Sequence, residues 1–159
     1  LFKGRKVINL EFTVHGKASP SGSKKAFVNK HTGRVCVVDT AKNKDSWQSF
    51  VRLVATRAAA AERITPSRNG FRLSLQFEFA RPKSHYGTGK NASVLKRSAP
   101  TLHTQKPDTT KLIRCTEDAL QGVCWHDDCQ VVSQQATKVW ADVDSVKIVV
   151  EECMTWGES

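Results

Sequence analysis

The chain has 159 residues, of which 39% are hydrophobic and 25% are charged, which is the size and composition of one ordinary globular domain. It has neither the apolar run of about 18 residues that a membrane-spanning helix needs nor a signal-peptide pattern after its basic N-terminus. Its five cysteines are irregularly spaced, which argues against a disulfide scaffold. We therefore expect a single soluble domain over residues 1–159 in the reducing environment of the cytoplasm.

The charge is polarised along the chain. The formal net charge is +10, but residues 1–100 carry twenty Lys and Arg against five Asp and Glu, and residues 101–159 carry five against ten. A basic half favours a polyanionic partner, because phosphate neutralisation and counterion release dominate affinity for nucleic acid. The carboxylates of the acidic end either bind a metal ion that assists phosphodiester chemistry, or form a solvated surface on a DNA- or RNA-binding domain. Charge does not decide between them.

The N-terminal part of the chain predicts strands. Apolar and polar residues alternate over Val7–Val14, the period of a half-buried strand. The Gly/Ser/Pro-rich segment Gly16–Lys25 is predicted to be a loop. Beyond it, Ala26–Val28 and Val35–Val38 flank a short connection that contains Gly, so they are predicted to form a hairpin.

The middle of the chain predicts a long helix, a strand and a loop. From Asn43 to about Ile64 apolar residues recur with helical spacing. Strict alternation over Phe71–Phe79 then predicts a strand with one buried face. Residues 81–106 hold six basic and no acidic side chains. We predict that they form a basic, flexible loop that contacts phosphate, with a plain flexible insertion as the alternative.

A second helix and two more strands complete the predicted fold. The helix starts at Asp108, because Pro107 blocks extension and Asp is a favoured N-cap, and Gly122 ends it. The segments Gln130–Trp140 and Ser145–Val150 are predicted to form a C-terminal hairpin. This order predicts a mixed α+β domain with two main helices and a small, partly antiparallel sheet.

Two acidic clusters flank the second helix and form the candidate site. Asp108 lies at the helix start, and Asp127 and Asp128 lie at the entry to the next strand. Their carboxylates are the hard oxygen ligands that Mg²⁺ prefers, and a bound metal would polarise a phosphate and activate water. The alternative is a helix cap at Asp108 and solvated turn residues at the other two. Only the fold can bring the two clusters together.

The segment KPDTTKLIRCTEDALQGVCWHDDCQVV, Lys106–Val132, closely resembles the RusA family of Holliday junction resolvases. The usual family pattern is K/R-P-D-x-D-N-L-x-K, then D-A-L, then W-x-D-D-x-Q-V. Gly16–Lys25 and Trp47 are also similar to the N-terminal part of phage-encoded members. The resemblance implies a RusA-like fold and a homodimeric, Mg²⁺-dependent endonuclease that cuts branched DNA at four-way junctions. Mn²⁺ is expected to substitute for Mg²⁺.

The resemblance also implies roles for individual residues. The metal-binding aspartates of the family map onto Asp108 and Asp128, and Asp127 is expected to contribute or orient a ligand. Arg114 stands where the family has an essential lysine. It keeps the positive charge, and a guanidinium can bind phosphate bidentately.

The chain departs from the family pattern beside these residues. Thr110 stands where many members have a second aspartate, and it is expected to support the site next to the metal ligands, where a Thr hydroxyl or carbonyl with water can complete a Mg²⁺ shell. Asp118 lies four residues after Arg114 and is predicted to pair with it and to support the site from outside the metal shell. The loss of a carboxylate at Thr110 leaves a catalytically weakened or inactive junction-binding protein as the alternative function.

The predicted DNA contacts are basic side chains near the motif or in loops without acids. They are Lys24, Lys25, Lys83, Lys90, Lys106 and Lys111. A third possible function, an interaction protein whose basic half binds an acidic protein, is also open at this point.

Overall fold

The structure is a computed structural model, and it describes residues 7–22, 24–28, 30, 32–33, 35–39 and 43–153. Its strands are β1 (Asn9–His15), β2 (Lys24–Val28), β3 (Val35–Asp39), β4 (Gly70–Ala80), β5 (Val131–Ala141) and β6 (Ser145–Cys153), and its helices are α1 (Lys44–Ala61) and α2 (Thr109–Leu120). Within these residues, no helix is both long and apolar enough to cross a membrane.

Four strands form one mixed sheet in the order β1-β6-β4-β5. The β4–β5 pair is parallel, and the β1–β6 and β4–β6 pairs are antiparallel. β2 and β3 pair with each other in a separate two-stranded sheet, which confirms the predicted hairpin. The mixed α+β class and the partly antiparallel sheet are therefore confirmed.

The predicted C-terminal hairpin is wrong, because β4 lies between β5 and β6. The short turn from β5 to β6 crosses the end of β4. There Asp144 Oδ1 accepts a hydrogen bond from Ala80 N at 2.9 Å, and the Ala141 carbonyl accepts one from Arg81 N at 3.1 Å. β4 takes the central position because its alternate residues are buried almost completely, whereas most side chains in the first half of β5 are exposed.

The two helices pack on one face of the four-stranded sheet. Trp47, Val51, Ala55 and Ala59 of α1 are buried, as are Leu112, Cys115, Thr116, Ala119 and Leu120 of α2. These stripes follow the predicted helical periodicity, and both helices end close to the predicted residues. Gly122 follows α2 with a positive φ of 83°, a conformation that glycine adopts at little cost.

Two lysines predicted to lie in a loop belong to a strand instead. Lys24 pairs with Asp39 and Lys25 pairs with Val38, so the β2–β3 ladder extends further than the Gly/Ser composition suggested. Cross-strand hydrogen bonds across the hairpin stabilise an extended backbone that local composition does not favour. Their backbones are described, but their side chains lie outside the described part of the structure.

The basic segment 81–106 is anchored to the sheet. It contains two 3₁₀ turns, Lys83–His85 and Gly89–Asn91. The buried His103 ring lies 4.5 Å from the Phe79 ring and 4.2 Å from the Trp140 ring, and burial lowers the pKa of His103. The segment therefore has internal structure, while its flexibility and its contact with phosphate stay predictions.

The cysteines that the structure describes with their side chains form no disulfide. Cys115 and Cys124 are buried, Cys129 is exposed and Cys153 is half-buried. Burial raises the pKa of the Cys124 thiol to about 12. The reducing, cytoplasmic location stays a prediction.

One cross-strand ion pair gives a prediction about acid stability. Glu78 Oε1 lies 2.8 Å from Lys147 Nζ, and Ser145 Oγ donates to Glu78 Oε2 at 2.7 Å. The hydrogen bonds from Lys147 and Ser145 lower the pKa of Glu78 from 4.5 to about 2. Because the folded-state pKa is below the unfolded one, this carboxylate stabilises the fold fully above about pH 5 and loses its contribution as the pH falls towards 2.

We therefore expect Glu78→Gln to lower the free energy of unfolding at pH 7 and to have a progressively smaller effect between pH 4.5 and pH 2. Urea unfolding of both proteins across this pH range measures the difference. A difference that does not change with pH would mean that the charge of Glu78 has no part in stability.

Candidate functional site

Asp108 presents an exposed carboxylate at the start of α2. It occupies the N-cap position, but its side chain makes no capping hydrogen bond. Asp108 Oδ2 lies 3.6 Å from Lys111 Nζ, and 58% of the Asp108 side chain is exposed. The Asp108 side chain therefore does not act as a helix cap, and its carboxylate is accessible to a ligand.

Asp128 is fixed by a hydrogen bond from the core. It opens the 3₁₀ turn Asp128–Gln130, directly before β5. Trp125 Nε1 donates to Asp128 Oδ1 at 2.9 Å, and the Trp125 ring is fully buried 5.6 Å from the Phe71 ring. Among the described residues, Asp128 Oδ2 has no hydrogen-bond partner. One oxygen therefore sets the orientation of the side chain, and the other is open to a ligand.

Asp127 caps the same turn. Its Oδ1 accepts a hydrogen bond from Cys129 N at 2.9 Å, and the hydrogen bonds from Cys129 lower the pKa of Asp127. The side chain is exposed. One of its oxygens is thus committed to the turn, and its predicted part in metal binding stays a prediction.

Gln130 ties this turn to the start of β4. Its Nε2 donates to the carbonyls of Ser67 and Asn69, both at 2.8 Å. Its Oε1 accepts from His126 N at 2.8 Å and from Asp127 N at 3.0 Å. One side chain therefore satisfies four backbone groups and holds the turn that carries Asp128. Sequence reasoning gave Gln130 no role, because only the folded chain brings these segments together.

Glu117 is a second acidic residue near Asp128 that sequence reasoning missed. It is half-buried on α2 and forms a hydrogen bond with the Gln134 side chain of β5. Burial raises the pKa of Glu117, and the charges of Asp128 and Asp118 raise it further. The signal in the sequence was helical spacing, since Thr110, Arg114 and Glu117 recur at i, i+4 and i+7 on one helix face.

Asp118 joins the two helices. Gln48 Nε2 of α1 donates at 3.3 Å to both Asp118 Oδ2 and the Cys115 carbonyl. Arg52 Nη2 donates to the Asp118 carbonyl at 3.0 Å. The predicted pairing with Arg114 is absent from the described contacts, because α1 supplies a nearer partner. Arg114 is exposed and, among the same residues, has no ion-pair partner.

The candidate metal ligands flank α2 in the chain. Asp108 directly precedes the helix, and Asp128 follows it in the 3₁₀ turn before β5. The described residues include no group of three or more His, Cys, Asp or Glu arranged to hold a metal ion.

The donor chemistry near Asp128 still fits Mg²⁺. This ion binds proteins through one or two carboxylates and completes its shell with water and phosphate oxygens. Asp128 offers such a carboxylate oxygen, with Glu117 beside it, and neither a thiol nor an imidazole is needed.

The predicted DNA-binding lysines are spread over the surface. Lys83, Lys90 and Lys106 are exposed, and Lys111 is half-buried next to Asp108. The Lys24 and Lys25 side chains lie outside the described part. Lys138, to which the sequence gave no role, donates to the carbonyls of Gln105 and Pro107 at 2.7 and 2.9 Å. It thus fixes the residues before Asp108 to β5.

Two comparisons with known proteins cover this site. A family model described as endodeoxyribonuclease RusA matches residues 17–151. The chain is also similar to the uncharacterised protein YqaN of Bacillus subtilis (strain 168), with 26% identity over 144 residues, which is 90% of this chain and 96% of that protein. The matched residues include both acidic clusters and both helices.

Proposed function

The chain belongs to the RusA endodeoxyribonuclease family, and from this premise we propose that it is a Mg²⁺-dependent endonuclease that resolves four-way (Holliday) DNA junctions. Family membership supports the coarse function, a nuclease of branched DNA. The observation that carries the finer proposal is Asp128, whose Oδ1 is fixed by the buried Trp125 while its Oδ2 is open. An oriented, accessible carboxylate at the foot of a strand is suited to hold a catalytic cation.

In this proposal, Asp108 and Asp128 hold Mg²⁺ or Mn²⁺, and Asp127 contributes or orients a ligand. When bound, the ion supplies the positive charge that polarises a phosphate and activates a water molecule. Arg114 is exposed on α2, where its guanidinium can bind a phosphate oxygen pair. The two helices, tied together through Gln48 and Asp118, keep this surface in place.

The test is cleavage of a synthetic four-way junction with Mg²⁺, with Mn²⁺ and with EDTA, next to a linear duplex of the same sequence. We expect symmetric cuts in the junction with either metal, no cuts with EDTA and little cutting of the duplex. Salt-sensitive junction binding without cleavage in either metal would favour the inactive junction-binding protein. Failure to bind DNA, with binding to an acidic protein, would favour the interaction protein.

The alternative, a junction-binding protein with weakened or lost activity, is favoured by Thr110. This residue is exposed in the first turn of α2, where many family members have an aspartate. We expect Thr110→Asp to be tolerated and to tighten Mg²⁺ binding a few-fold, because an added carboxylate attracts a divalent ion. Calorimetric titration with Mg²⁺ and junction cleavage measure the two effects. Loss of cleavage in a folded Thr110→Asp protein would mean that the site differs from the family pattern.

The basic half is proposed to dominate DNA affinity. Each phosphate contact contributes roughly −0.9 to the slope of log K against log salt concentration. We expect the Lys24→Ala/Lys25→Ala variant to reduce the magnitude of this slope by about 1.8, measured by gel shift or fluorescence anisotropy. The charge-matched control is Arg68→Ala/Arg72→Ala, two exposed arginines that are not among the predicted DNA contacts. An unchanged slope in the first variant would exclude these two lysines from the DNA interface.

A homodimer is part of the proposal. Symmetric resolution needs two cuts, and two copies of one site related by a two-fold axis match a two-fold junction.

A further inference from the structure

Glu152 is a carboxylate at a core position of β6. Along this strand Val146, Ile148 and Val150 alternate with more exposed residues and are fully buried, and Glu152 takes the next position on the same face, where it is only 8% exposed. Burying a carboxylate costs free energy unless its oxygens accept hydrogen bonds. An apolar residue would continue the row without this cost, so core packing alone does not explain Glu152.

The two oxygens of Glu152 bind segments that are far away in the chain. Oε2 accepts a hydrogen bond from Ile8 N, directly before β1, at 2.8 Å. Oε1 accepts one from Asn69 Nδ2 at 2.8 Å and another from the hydroxyl of Ser67, 85 residues earlier in the chain. Ser67 is itself buried, and its Oγ accepts a hydrogen bond from Asn69 N at 3.0 Å. Glu152 therefore fixes the conformation of residues 67–69, which lead into β4.

Residues 67–69 are also the segment to which Gln130 ties the turn of the candidate site. Gln130 Nε2 donates to two carbonyl groups of this segment, which lie two residues apart and point to the same amide group. Gln130 Oε1 accepts from the two backbone N–H groups that directly precede Asp128. A continuous set of hydrogen bonds therefore links Glu152 to the turn that carries Asp128.

We propose that Glu152 is a positioning residue for junction cleavage. It keeps residues 67–69 in the conformation that Gln130 needs, and Gln130 in turn keeps the Asp128 carboxylate in its direction. Residues that orient a metal ligand from behind change metal affinity or activity by about 10- to 100-fold when they are replaced. The inference rests on the proposed function for the reaction, and it adds a residue of β6, a strand that lies outside the motif around α2.

The first test compares junction cleavage by the parent, Glu152→Gln and Glu151→Gln. A glutamine keeps the shape of Glu152 but replaces one acceptor oxygen with an NH₂ group, which cannot accept the hydrogen bonds made there. Glu151 is the matched control, because it is the neighbouring carboxylate on the exposed face of β6. We expect kcat to fall at least about tenfold in Glu152→Gln with KM for the junction unchanged, and the control to match the parent.

A double-mutant cycle with Gln130→Ala shows whether the effect passes through Gln130. If it does, Glu152→Gln lowers kcat by about twofold or less in the Gln130→Ala background. Fully additive losses would overturn the positioning role, and so would a Glu152→Gln protein that cuts at the parent rate. If Glu152→Gln does not fold, Ser67→Ala replaces it in the same cycle, since it removes the hydroxyl that Glu152 binds and keeps the backbone carbonyl that Gln130 binds.

The second test needs neither metal nor DNA. Hydrogen exchange of the Trp125 indole N–H, measured by NMR, reports on its hydrogen bond to Asp128, and the resonance is identified by its absence in Trp125→Phe. We expect this group to exchange at least about tenfold faster in Glu152→Gln while backbone N–H groups in the middle of β4 keep the parent rate, because only the turn is loosened. Equal acceleration of both, or of neither, would overturn the proposal. A parent that does not cut junctions would refute the proposed function, and the exchange rates would then still decide whether Glu152 holds the turn.

Discussion

Asp128→Asn is expected to lower the rate of junction cleavage about a thousandfold or more while the protein still binds junctions. Removing the negative charge removes the attraction that holds a divalent cation, and a thousandfold loss corresponds to about 4 kcal/mol of transition-state stabilisation. The change is nearly isosteric. An Asn oxygen can still accept the hydrogen bond from Trp125 Nε1, so we expect little change in folding.

Binding without metal is expected to become slightly tighter in this variant. A carboxylate repels phosphate when no cation lies between them, and the substitution removes this repulsion. A gel shift in EDTA, next to a cleavage assay in Mg²⁺, therefore separates loss of chemistry from loss of binding.

Two further substitutions serve as controls. Asp108→Asn should behave like Asp128→Asn, because both residues map onto the metal-binding aspartates of the family. Asp118→Asn should cost much less, since the Asp118 side chain accepts a hydrogen bond from Gln48 of α1 and is not among the proposed metal ligands. If the folded Asp128→Asn protein cuts at the parent rate, Asp128 is a turn residue and the DNA-binding function without catalysis is the better account.

Gln130→Ala is expected to destabilise the protein by about 2–4 kcal/mol and to reduce cleavage as well. The substitution removes two donated and two accepted hydrogen bonds at once. A partly buried backbone group left without a partner costs about 1–3 kcal/mol, partly offset here by water. The turn that carries Asp128 would also lose its link to β4.

Urea unfolding and junction cleavage of Gln130→Ala measure the two effects. Gln105→Ala is the matched control, because the exposed Gln105 takes part in the described hydrogen bonds only through its backbone carbonyl. Gln130→Glu is informative too, since it keeps the acceptor for His126 N and Asp127 N but loses the donor. We expect an intermediate loss. Equal stability of Gln130→Ala and Gln105→Ala would show that the four bonds do not hold the turn.

The site was predictable only in part, because its two acidic clusters are local features and its supports are not. The motif placed Asp108 and Asp128 at either end of α2 and placed a helix between them. It did not reveal Glu117, which helical spacing puts on the same face as Arg114 but which only β5 brings next to Asp128. The motif also did not reveal that Gln48 of α1 donates a hydrogen bond to the Asp118 side chain, because Gln48 lies 70 residues away in the sequence.

The sequence by itself determined the local elements of this protein. Periodicity and end signals depend on neighbouring residues, so the helix from Asn43 and the helix between Asp108 and Gly122 were predicted closely, as was the alternating strand of Phe71–Phe79. Only the tertiary structure decided which strands pair. β5 and β6 follow each other across a three-residue turn, yet Asp144 and Ala141 bond to the end of β4, which lies between them. β4 pairs along both of its edges, with β6 and with β5. The stability of this arrangement depends on segments that are far apart in the chain.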